Sequence, residues 1–368
     1  MKTYKGGIHW ATAGDSHGDC LIGVIYGLPP GWLIDVSLAN QLLQERSKGF
    51  GRSERQAFEH DEVEIIGGSW KGKSVGSPLL IRIDNKGKKD PPQNDDWSVR
   101  PGHADFSGSL RTGMPPKAIA ERASARETAI RTAMGGIALA LLKDISDIEV
   151  FSCVKSIGNI VAERLSADID NDLNWPDENK YENVKGAIRK AAKEGTTLGG
   201  SIFLSIKNLP PGLGEADMPM SKFSARLGQA LLSIPSVKGL TFGDGLETFQ
   251  KKGSEAHDLP NSDSNYAGGL EGGRTNGKPV DVTLWSKPIA TQKKPLPSID
   301  LKTGKPVDAP YIRSDIVVMP AVSVIAKALS SLIVLEAFGS MLGRGTFDEW
   351  QKRWNDYLES FPDWLKSK

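Results

Sequence analysis

The chain has 368 residues, of which 39% are hydrophobic and 25% charged, and 46 Lys and Arg side chains against 45 Asp and Glu leave a net charge of +1. This length allows a sizeable core, and the balanced charge excludes a disordered chain and a protein that coats nucleic acid. The two cysteines have no metal-ligand spacing and are too few for a disulfide framework, so they fit a reducing compartment.

Two segments bear on location. No apolar stretch follows the N-terminal lysines, so we expect no secretory signal. The most apolar segment, residues 316–338, is interrupted by Lys327 and Glu336 before it reaches the roughly 20 apolar residues that a membrane span needs. We therefore predict a cytoplasmic protein with no membrane partner, in which this segment is a buried helix.

Two pairs of similar segments run along the chain in the same order. Residues 21–46 read as an apolar strand, a Leu-Pro-Pro-Gly turn and an amphipathic helix, and residues 202–232 repeat this pattern. A second shared string, GGxxxGKxV, follows at residues 67–75 and again at residues 272–280. Two matches in one order indicate a duplicated unit.

The predicted elements give an α+β fold class. We predict two pseudo-repeats with related sheets, at about residues 21–84 and 202–285, within a single domain that spans residues 1–368. The apolar spacing also predicts three helices, which are placed at about Lys117 to Lys143, Pro320 to Phe338 and Thr346 to Leu365. The last is amphipathic and is expected to pack on the body or on a neighbouring subunit.

Residues 67–74 match GxxxxGKS, the phosphate-binding loop of nucleoside triphosphatases. That loop requires a helix that starts at the Lys-Ser pair, because its N-terminal N–H groups face the phosphates. The residues that follow contain Gly76, Pro78 and alternating branched side chains, which favour a strand. We interpret the glycines as hairpin residues and keep a triphosphate hydrolase that uses residues 67–74 as an alternative function.

Two of the five histidines lie in rigid turns. His17 stands in GDSHG directly before an apolar strand, and His103 stands in RPGHAD, where proline and glycine restrict the backbone. A lone histidine is usually structural, but an imidazole with polar neighbours in such a turn suits acid/base catalysis near neutral pH. The sequence leaves both interpretations open.

Arginines supply the second candidate pattern. Residues 45–55 form a glycine-punctuated basic loop after a predicted helix, where a solvated helix end is the competing interpretation. Arg122 and Arg126 in RASARET are expected to share one helical face with small residues between them, which suits a small polyanionic substrate. Arg313 and Asp315 precede the predicted buried helix, where a structural ion pair is equally compatible.

Five motifs extend in order along almost the whole chain: GDSHG, RPGHAD, RASARET, NYAGGLEGGRTNG and RSD. With them the sequence resembles chorismate synthase. The resemblance implies a β-α-β sandwich, a homotetramer, and a lyase that converts 5-enolpyruvylshikimate 3-phosphate to chorismate and phosphate by anti-1,4-elimination. It also implies reduced FMN, used without net redox change, and it admits NADPH as the reductant.

The resemblance implies a role for each matching residue. His17 is the expected proton donor to the departing phosphate, His103 the expected proton donor to reduced flavin, and Asp315 the carboxylate that removes the C6 proton together with flavin N5. The expected substrate-binding residues are Ser16, Arg46, Arg52, Arg100, Arg126 and Arg313. Two of them also match NADP-binding positions, Arg46 and Arg52. The expected flavin contacts are Arg122, Ala123, Ser124, Pro235, Ser236, Gly272, Lys287, Pro288, Ile289, Ala290, Thr291 and Arg313.

The sequence departs from the family pattern at several of these places. Residues 114–121 replace a glycine-rich run, and Ala123 replaces a serine. Ser314 and Ala321 replace a histidine and an arginine. A flavin- or anion-binding relative that has lost turnover through the last two changes is therefore a second alternative.

Overall fold

A computed structural model describes residues 7–52, 61–86, 93–215, 218–260, 262–311 and 314–363. The strands, in chain order, are β1 (His9–Gly14), β2 (Cys20–Tyr26), β3 (Glu64–Gly67), β4 (Ser69–Trp70), β5 (Lys73–Ser74), β6 (Leu79–Asp84), β7 (Glu149–Ile157), β8 (Ile160–Val161), β9 (Gly200–Lys207), β10 (Val237–Phe242), β11 (Leu270–Glu271), β12 (Arg274–Thr275), β13 (Val280–Ser286), β14 (Pro297–Ile299) and β15 (Pro306–Asp308). The helices are α1 (Ser37–Ser47), α2 (Asp105–Thr112), α3 (Pro116–Ala123), α4 (Thr128–Ile145), α5 (Glu178–Glu194), α6 (Phe223–Leu232), α7 (Gly253–Ala256), α8 (Met319–Leu342) and α9 (Phe347–Glu359).

Two antiparallel sheets enclose a helical layer. The first sheet has the strand order β1-β2-β6-β3, and the second has the order β10-β13-β9-β7-β8. Helix α4 packs on the first sheet and α8 on the second, while α4 and α8 contact each other. Strand β2 alternates buried and half-buried residues, as expected for a strand with one face on the core. One continuous hydrophobic cluster includes residues of both sheets and of the helices between them.

Helix α8 is the centre of this core. It is long and apolar enough to cross a membrane, but 83% of its most apolar window is buried inside the protein. The predicted buried helix is therefore confirmed and extends over Met319–Leu342. Glu336, one of its charged residues, accepts hydrogen bonds from Trp10 Nε1 at 2.9 Å and from Arg226 Nε at 3.1 Å. Together with a third bond, from Arg226 Nη2 at 2.5 Å, they compensate the cost of placing a carboxylate in this apolar helix.

The amphipathic helix predicted near the C-terminus is α9. It begins at Phe347 after a capping box formed by Thr346 and Glu349. Trp350 and Trp354 are buried, and the Trp354 ring stacks on Phe338 of α8 with 4.3 Å between ring centroids. The apolar face of α9 therefore packs on the body of the same chain.

The two halves of the fold repeat one order of elements. The sequence β2-α1-β3-β4-β5-β6 in the first half corresponds to β9-α6-β10-β11-β12-β13 in the second. The two sheets also place equivalent strands side by side, since β2-β6-β3 corresponds to β9-β13-β10. Each half thus forms one sheet of the sandwich.

Matching hydrogen bonds define how the two halves align. Ser74 Oγ donates to the carbonyl of Pro29 at 2.6 Å, and Thr275 Oγ1 donates to the carbonyl of Pro210 at 2.5 Å. The two prolines hold the same place in the two Leu-Pro-Pro-Gly turns. The GGxxxGKxV alignment pairs Ser74 with Pro279 instead, so its register was wrong. The cause is that GGLEGGRTNG contains the Gly-Gly pair twice, and the string matched the second pair rather than the first.

The prediction of one helix from Lys117 to Lys143 was wrong. Helix α3 ends at Ala123, Ser124 is extended, and a single 3-10 turn leads into α4 at Thr128. The Ser124 hydroxyl accepts a hydrogen bond from the backbone N–H of Arg126 at 3.2 Å, and this local bond competes with helical hydrogen bonding. Arg122 and Arg126 consequently do not share one helical face.

Residues 67–74 form the end of β3 and the hairpin of β4 and β5. Strand β6 follows them, so the Lys-Ser pair does not start a helix. Without that helix no row of N–H groups faces a phosphate. The triphosphate-binding interpretation is therefore wrong, and the glycines are hairpin residues as predicted.

Candidate functional site

A cavity of about 1040 Å³ lies where loops from both halves of the fold meet. It is lined by the β1–β2 turn, by the end of α1, by residues 100–126, and by the loops that precede β10 and follow β13. Ligand pockets for single small molecules usually have volumes of about 300 to 1,000 Å³. This cavity is therefore at the upper end of that range.

Most of the predicted site residues line this cavity. They are Ser16, His17, Arg46, Arg100, His103, Ala123, Ser124, Arg126, Pro235, Ser236, Lys287, Ile289, Ala290, Thr291 and Asp315. Four predicted residues are not part of the lining in the described portion of the chain, namely Arg52, Arg122, Gly272 and Pro288. Arg313 lies outside the described residues. The individual roles of all these residues stay predictions.

His17 is held by a carboxylate that the sequence analysis did not assign. Its Nδ1 lies 2.8 Å from Glu121 Oε1, and its backbone N–H donates to Glu121 Oε2 at 2.9 Å. Glu121 belongs to the last turn of α3, far from His17 in the sequence. The ring therefore has a defined orientation at the cavity wall.

His103 is held by a second carboxylate. Its Nδ1 lies 2.5 Å from Asp105 Oδ1, and Asp105 is 1% exposed. Arg100 donates to the two oxygens of Asp105 from Nε at 2.7 Å and from Nη2 at 2.9 Å. Burial alone would raise the pKa of Asp105, but the bonds from His103 and Arg100 outweigh burial and hold that pKa far below its ordinary value. Asp105 is therefore a permanent negative charge beneath the imidazole.

Two further arginines bring positive charge to the cavity. Arg46 donates to Thr128 Oγ1 at 3.0 Å and to the carbonyl of Ala125 at 2.8 Å. Arg126 donates from Nη1 to Asp61 Oδ2 at 2.6 Å and from Nε to Asn85 Oδ1 at 2.8 Å. Asp61 also lines the cavity, so an anionic ligand at Arg126 would replace or join a carboxylate that is already present.

Asp315 forms a buried ion pair. Its Oδ2 lies 3.0 Å from Arg52 Nε, with 12% of the Asp315 side chain and 6% of the Arg52 side chain exposed. Burial lowers the pKa of Arg52, and the charge of Asp315 counteracts this effect. The structure thus joins two predicted residues, with Asp315 at the cavity and Arg52 behind it.

The second half of the fold supplies the opposite wall. Ser236 is a non-glycine residue with φ 75°, and its carbonyl accepts a hydrogen bond from the backbone N–H of Lys287 at 3.0 Å. Such strained backbone is kept where the surroundings impose it, and it is frequent at functional sites. Burial lowers the pKa of Lys287, and the nearby charge of Lys238 lowers it further. Both lysines line the cavity.

Arg122 and Gly272 lie elsewhere than the motif pattern implied. Arg122 points to strand β1, where its Nη2 donates to Thr12 Oγ1 at 2.9 Å. Gly272 is in the turn between β11 and β12, and a Cβ built there would meet no atom within 4 Å. Arg122 is not among the residues that line the cavity, although its neighbours Glu121 and Ala123 are.

The cavity also contains charged residues that sequence reasoning missed: Asp61, Lys117, Glu121 and Lys238. Asp105, below His103, was missed as well, although the His-Ala-Asp spacing is a local signal for it. The others carry no such signal, because they reach the cavity from distant parts of the chain. Within the described ranges, no group of three His, Cys, Asp or Glu side chains is arranged to hold a metal ion.

A family model described as chorismate synthase matches residues 8–338. The chain belongs to the chorismate synthase family. A chorismate synthase of Thermus thermophilus is 38% identical over 379 residues, which cover 96% of this chain and 99% of that protein. Another, of Alkaliphilus metalliredigens, is 35% identical over 373 residues, which cover 94% of this chain and 98% of that protein.

A crystal structure of chorismate synthase matches this fold with a TM-score of 0.79 at 29% identity, over 98% of this chain and 99% of that one. This match confirms the predicted α+β class. The chain is a chorismate synthase-family lyase that forms chorismate from 5-enolpyruvylshikimate 3-phosphate. The family implies a flavin cofactor. The two alternatives, a triphosphate hydrolase and a non-catalytic relative, find no support.

Proposed function

We propose that the cavity binds 5-enolpyruvylshikimate 3-phosphate beside reduced FMN, and that His17, His103 and Asp315 handle the protons of the elimination. One observation carries this proposal. The cavity brings these three groups to the same space as Arg46 and Arg126, although the five residues come from separate parts of the chain. Acid, base and anion-binding groups that converge on one cavity are the usual composition of an active site.

The substrate carries one phosphate and two carboxylates, so it requires several cations. Arg46, Arg100 and Arg126 supply guanidinium groups at the cavity, and guanidinium binds such anions in a bidentate manner. Their combined field also stabilises the negative charge that grows on the departing phosphate. Arg100 is already paired with Asp105, and Arg126 with Asp61, so the anions of the substrate would join or replace these carboxylates.

The lining fits a flavin mononucleotide. Ala123, Ile289 and Ala290 provide small and apolar surface for a flat ring system. Lys238 and Lys287 lie close enough for one to lower the pKa of the other, an arrangement that an anionic group such as the FMN phosphate would stabilise. Reduced FMN, when bound, supplies the transient electron that makes phosphate departure easier.

The protein residues then divide the proton transfers. His17 donates a proton to the departing phosphate, and the Asp315 carboxylate accepts the C6 proton, with Arg52 keeping that carboxylate in place. His103, whose ring is oriented by Asp105, would hold the proton for reduced flavin. The carbon skeleton thus loses one proton and one phosphate and gains one double bond, with no net redox change.

We further propose a cytoplasmic homotetramer that has no nucleic-acid or membrane partner and in which NADPH serves as the flavin reductant. The family resemblance supports the tetramer and NADPH, with Arg46 and Arg52 as the matching nucleotide positions. The net charge of +1 supports the absence of a polyanionic partner.

The reaction is tested by anaerobic phosphate release and by chorismate absorbance, with 5-enolpyruvylshikimate 3-phosphate and with chemically reduced FMN present or left out. We expect both products only with reduced FMN. Equal product formation without any flavin would contradict the proposed cofactor. Replacing dithionite by NADPH in the same assay shows whether this chain reduces its own flavin.

The proton donors are tested by His17→Ala and His103→Ala. Each variant should fold normally and lose about two to four decades of turnover, the usual share of an acid/base group. His257→Ala is the matched control, because His257 is exposed and is not among the residues that line the cavity. Near-normal turnover of either test variant would remove that histidine from the mechanism.

A further inference from the structure

The contact between Glu121 and His17 has two points of attachment. Glu121 Oε1 meets the imidazole Nδ1 at 2.8 Å, and Glu121 Oε2 accepts the backbone N–H of His17 at 2.9 Å. About a quarter of each side chain is exposed, 22% for His17 and 25% for Glu121. Both residues line the cavity. The carboxylate thus spans the backbone and the ring of one residue, which fixes both together.

The loop that carries His17 is anchored independently of this carboxylate. The backbone N–H of Ser16 donates to the carbonyl of Glu121 at 3.0 Å, and Ser16 Oγ donates to Ser124 Oγ at 3.1 Å. On the other side, Asn85 Nδ2 donates to the carbonyls of Asp15 and Gly18, at 2.9 and 3.0 Å. These bonds do not involve the Glu121 side chain, so a change of that side chain removes one backbone hydrogen bond of the loop and the contact that sets the rotation of the imidazole.

An ionised carboxylate accepts hydrogen bonds and cannot donate them, so Nδ1 must carry a proton to satisfy Glu121. The proton that leaves the ring during the reaction is therefore the one on Nε2. A carboxylate that orients a histidine in this way also stabilises the positive charge of the doubly protonated ring. We propose that Glu121 is a positioning residue that fixes the Nδ1–H form of His17 and aims Nε2 at the substrate.

This inference rests on the proposed role of His17 as proton donor. Its test is Glu121→Ala, with Glu121→Gln as the conservative variant, because the amide oxygen of glutamine still accepts Nδ1–H. We expect kcat to fall about 10- to 100-fold in Glu121→Ala, the range found when a carboxylate that orients a metal-bound histidine is removed, with KM changed much less. Glu121→Gln should recover part of this loss. Glu182→Gln, with 71% of the Glu182 side chain exposed, is the matched control.

A readout besides turnover separates positioning from a structural role. In protein labelled with ¹⁵N-histidine, the His17 signals are assigned by their loss in His17→Ala. We expect an Nδ1-protonated ring in the unsubstituted protein and a mixture of tautomers in Glu121→Ala. An unchanged tautomer in Glu121→Ala overturns the inference. If KM is then raised and the melting temperature lowered, Glu121 has a structural role instead.

The double variant distinguishes this inference from the proposed function. If Glu121 acts through His17, adding Glu121→Ala to His17→Ala should lower kcat less than twofold further, because the two changes remove one interaction. Full additivity overturns the inference and leaves the role of His17 intact. Near-normal turnover of His17→Ala alone would instead overturn the role of His17, and with it the inference.

Discussion

Asp105 shows how a single buried charge serves both the fold and the site. Asp105 is the first residue of α2, and its carboxylate accepts hydrogen bonds from Arg100 and His103. The pKa of Asp105 is depressed in the folded protein, while the unfolded chain has the ordinary value of 3.8. The ionised form therefore stabilises the fold in full above the unfolded value, and this contribution is lost as the pH falls towards the folded value.

We expect Asp105→Asn to be less stable than the unsubstituted protein at neutral pH, because Arg100 is left with a buried and unpaired charge. The difference in free energy of unfolding between the two proteins should shrink by about 1 kcal/mol as the pH falls from about 5 to about 3. Over this range the unfolded unsubstituted protein takes up a proton at position 105, whereas the variant has no carboxylate at that position. Urea unfolding midpoints at both pH values measure this. An equal stability difference at the two pH values would show that folding does not lower the pKa of Asp105. Asp308→Asn, at the exposed pair of β14 and β15, is the control.

The ion pair of Arg52 and Asp315 leads to a second prediction at this scale. Arg52→Ala removes the guanidinium that pairs with the buried Asp315 carboxylate, and breaking such a pair typically costs about 3 to 5 kcal/mol. Arg52→Lys should restore part of the stability but less of the turnover, because an ammonium group cannot hold the carboxylate in the same orientation. Chemical denaturation and kcat measured on both variants test this. Equal stability of Arg52→Ala and the unsubstituted protein would mean that the pair contributes only to catalysis.

Helix α4 depends on two adjacent glycines that let it approach its neighbours. A Cβ at Gly135 would overlap the backbone of Ala328 in α8, and a Cβ at Gly136 would overlap the backbone of Ala39 in α1. Both obstacles are backbone atoms of other helices, so no side chain can rotate out of the way. The glycines set the spacing of the helical layer on which both sheets pack.

We expect Gly135→Ala to lower the free energy of unfolding by about 2 kcal/mol or more, because α8 must shift and the core loses packing. Gly186→Ala is the matched control. Gly186 lies inside α5 with no atom within 4 Å of its Cβ position, so alanine there should stabilise the helix by about 0.5 to 1 kcal/mol. Thermal and urea unfolding of the two variants should therefore change in opposite directions. Stabilisation in both would show that α4 and α8 have room to adjust.

At the scale of the whole molecule, two related halves close over one asymmetric site. The first half contributes the GDSHG turn and the end of α1, and the second contributes the loops that flank β10 and β13. In both halves a side-chain hydroxyl donates a hydrogen bond to the first proline carbonyl of the Leu-Pro-Pro-Gly turn. The loops that the two halves contribute to the cavity, however, carry different residues. The duplication thus explains the framework, and the differences between the loops supply the chemistry.

Because the two halves are equivalent, we expect Ser74→Ala and Thr275→Ala to lower the free energy of unfolding by similar amounts. Each change removes the acceptor for a buried backbone N–H, of Trp32 at 3.1 Å and of Leu213 at 2.9 Å, together with a donor to a proline carbonyl. We expect each to destabilise the protein by about 1 to 3 kcal/mol. Ser254→Ala, at an exposed hydroxyl, should change stability by less than about 0.5 kcal/mol. A loss in only one half would show that the two turns are not equivalent.

The sequence by itself determined the features that depend on local patterns. Apolar periodicity located α8 and α9, the repeated Leu-Pro-Pro-Gly turns indicated the duplication, and the motifs around His17 and His103 identified the family. Apolar periodicity and the residue preferences of turns depend on a few neighbouring residues, so they can be recognised from the sequence alone.

Only the tertiary structure decided which of these residues meet. The Ser124 bend placed Arg126 at the cavity and Arg122 on the β1 side, and the hydrogen bonds of Ser74 and Thr275 set the register of the repeat. The pairing of Glu121 with His17 joins parts of the chain that are far apart in sequence. No local pattern encodes such contacts, because they form only when the helical layer brings the loops of both halves together.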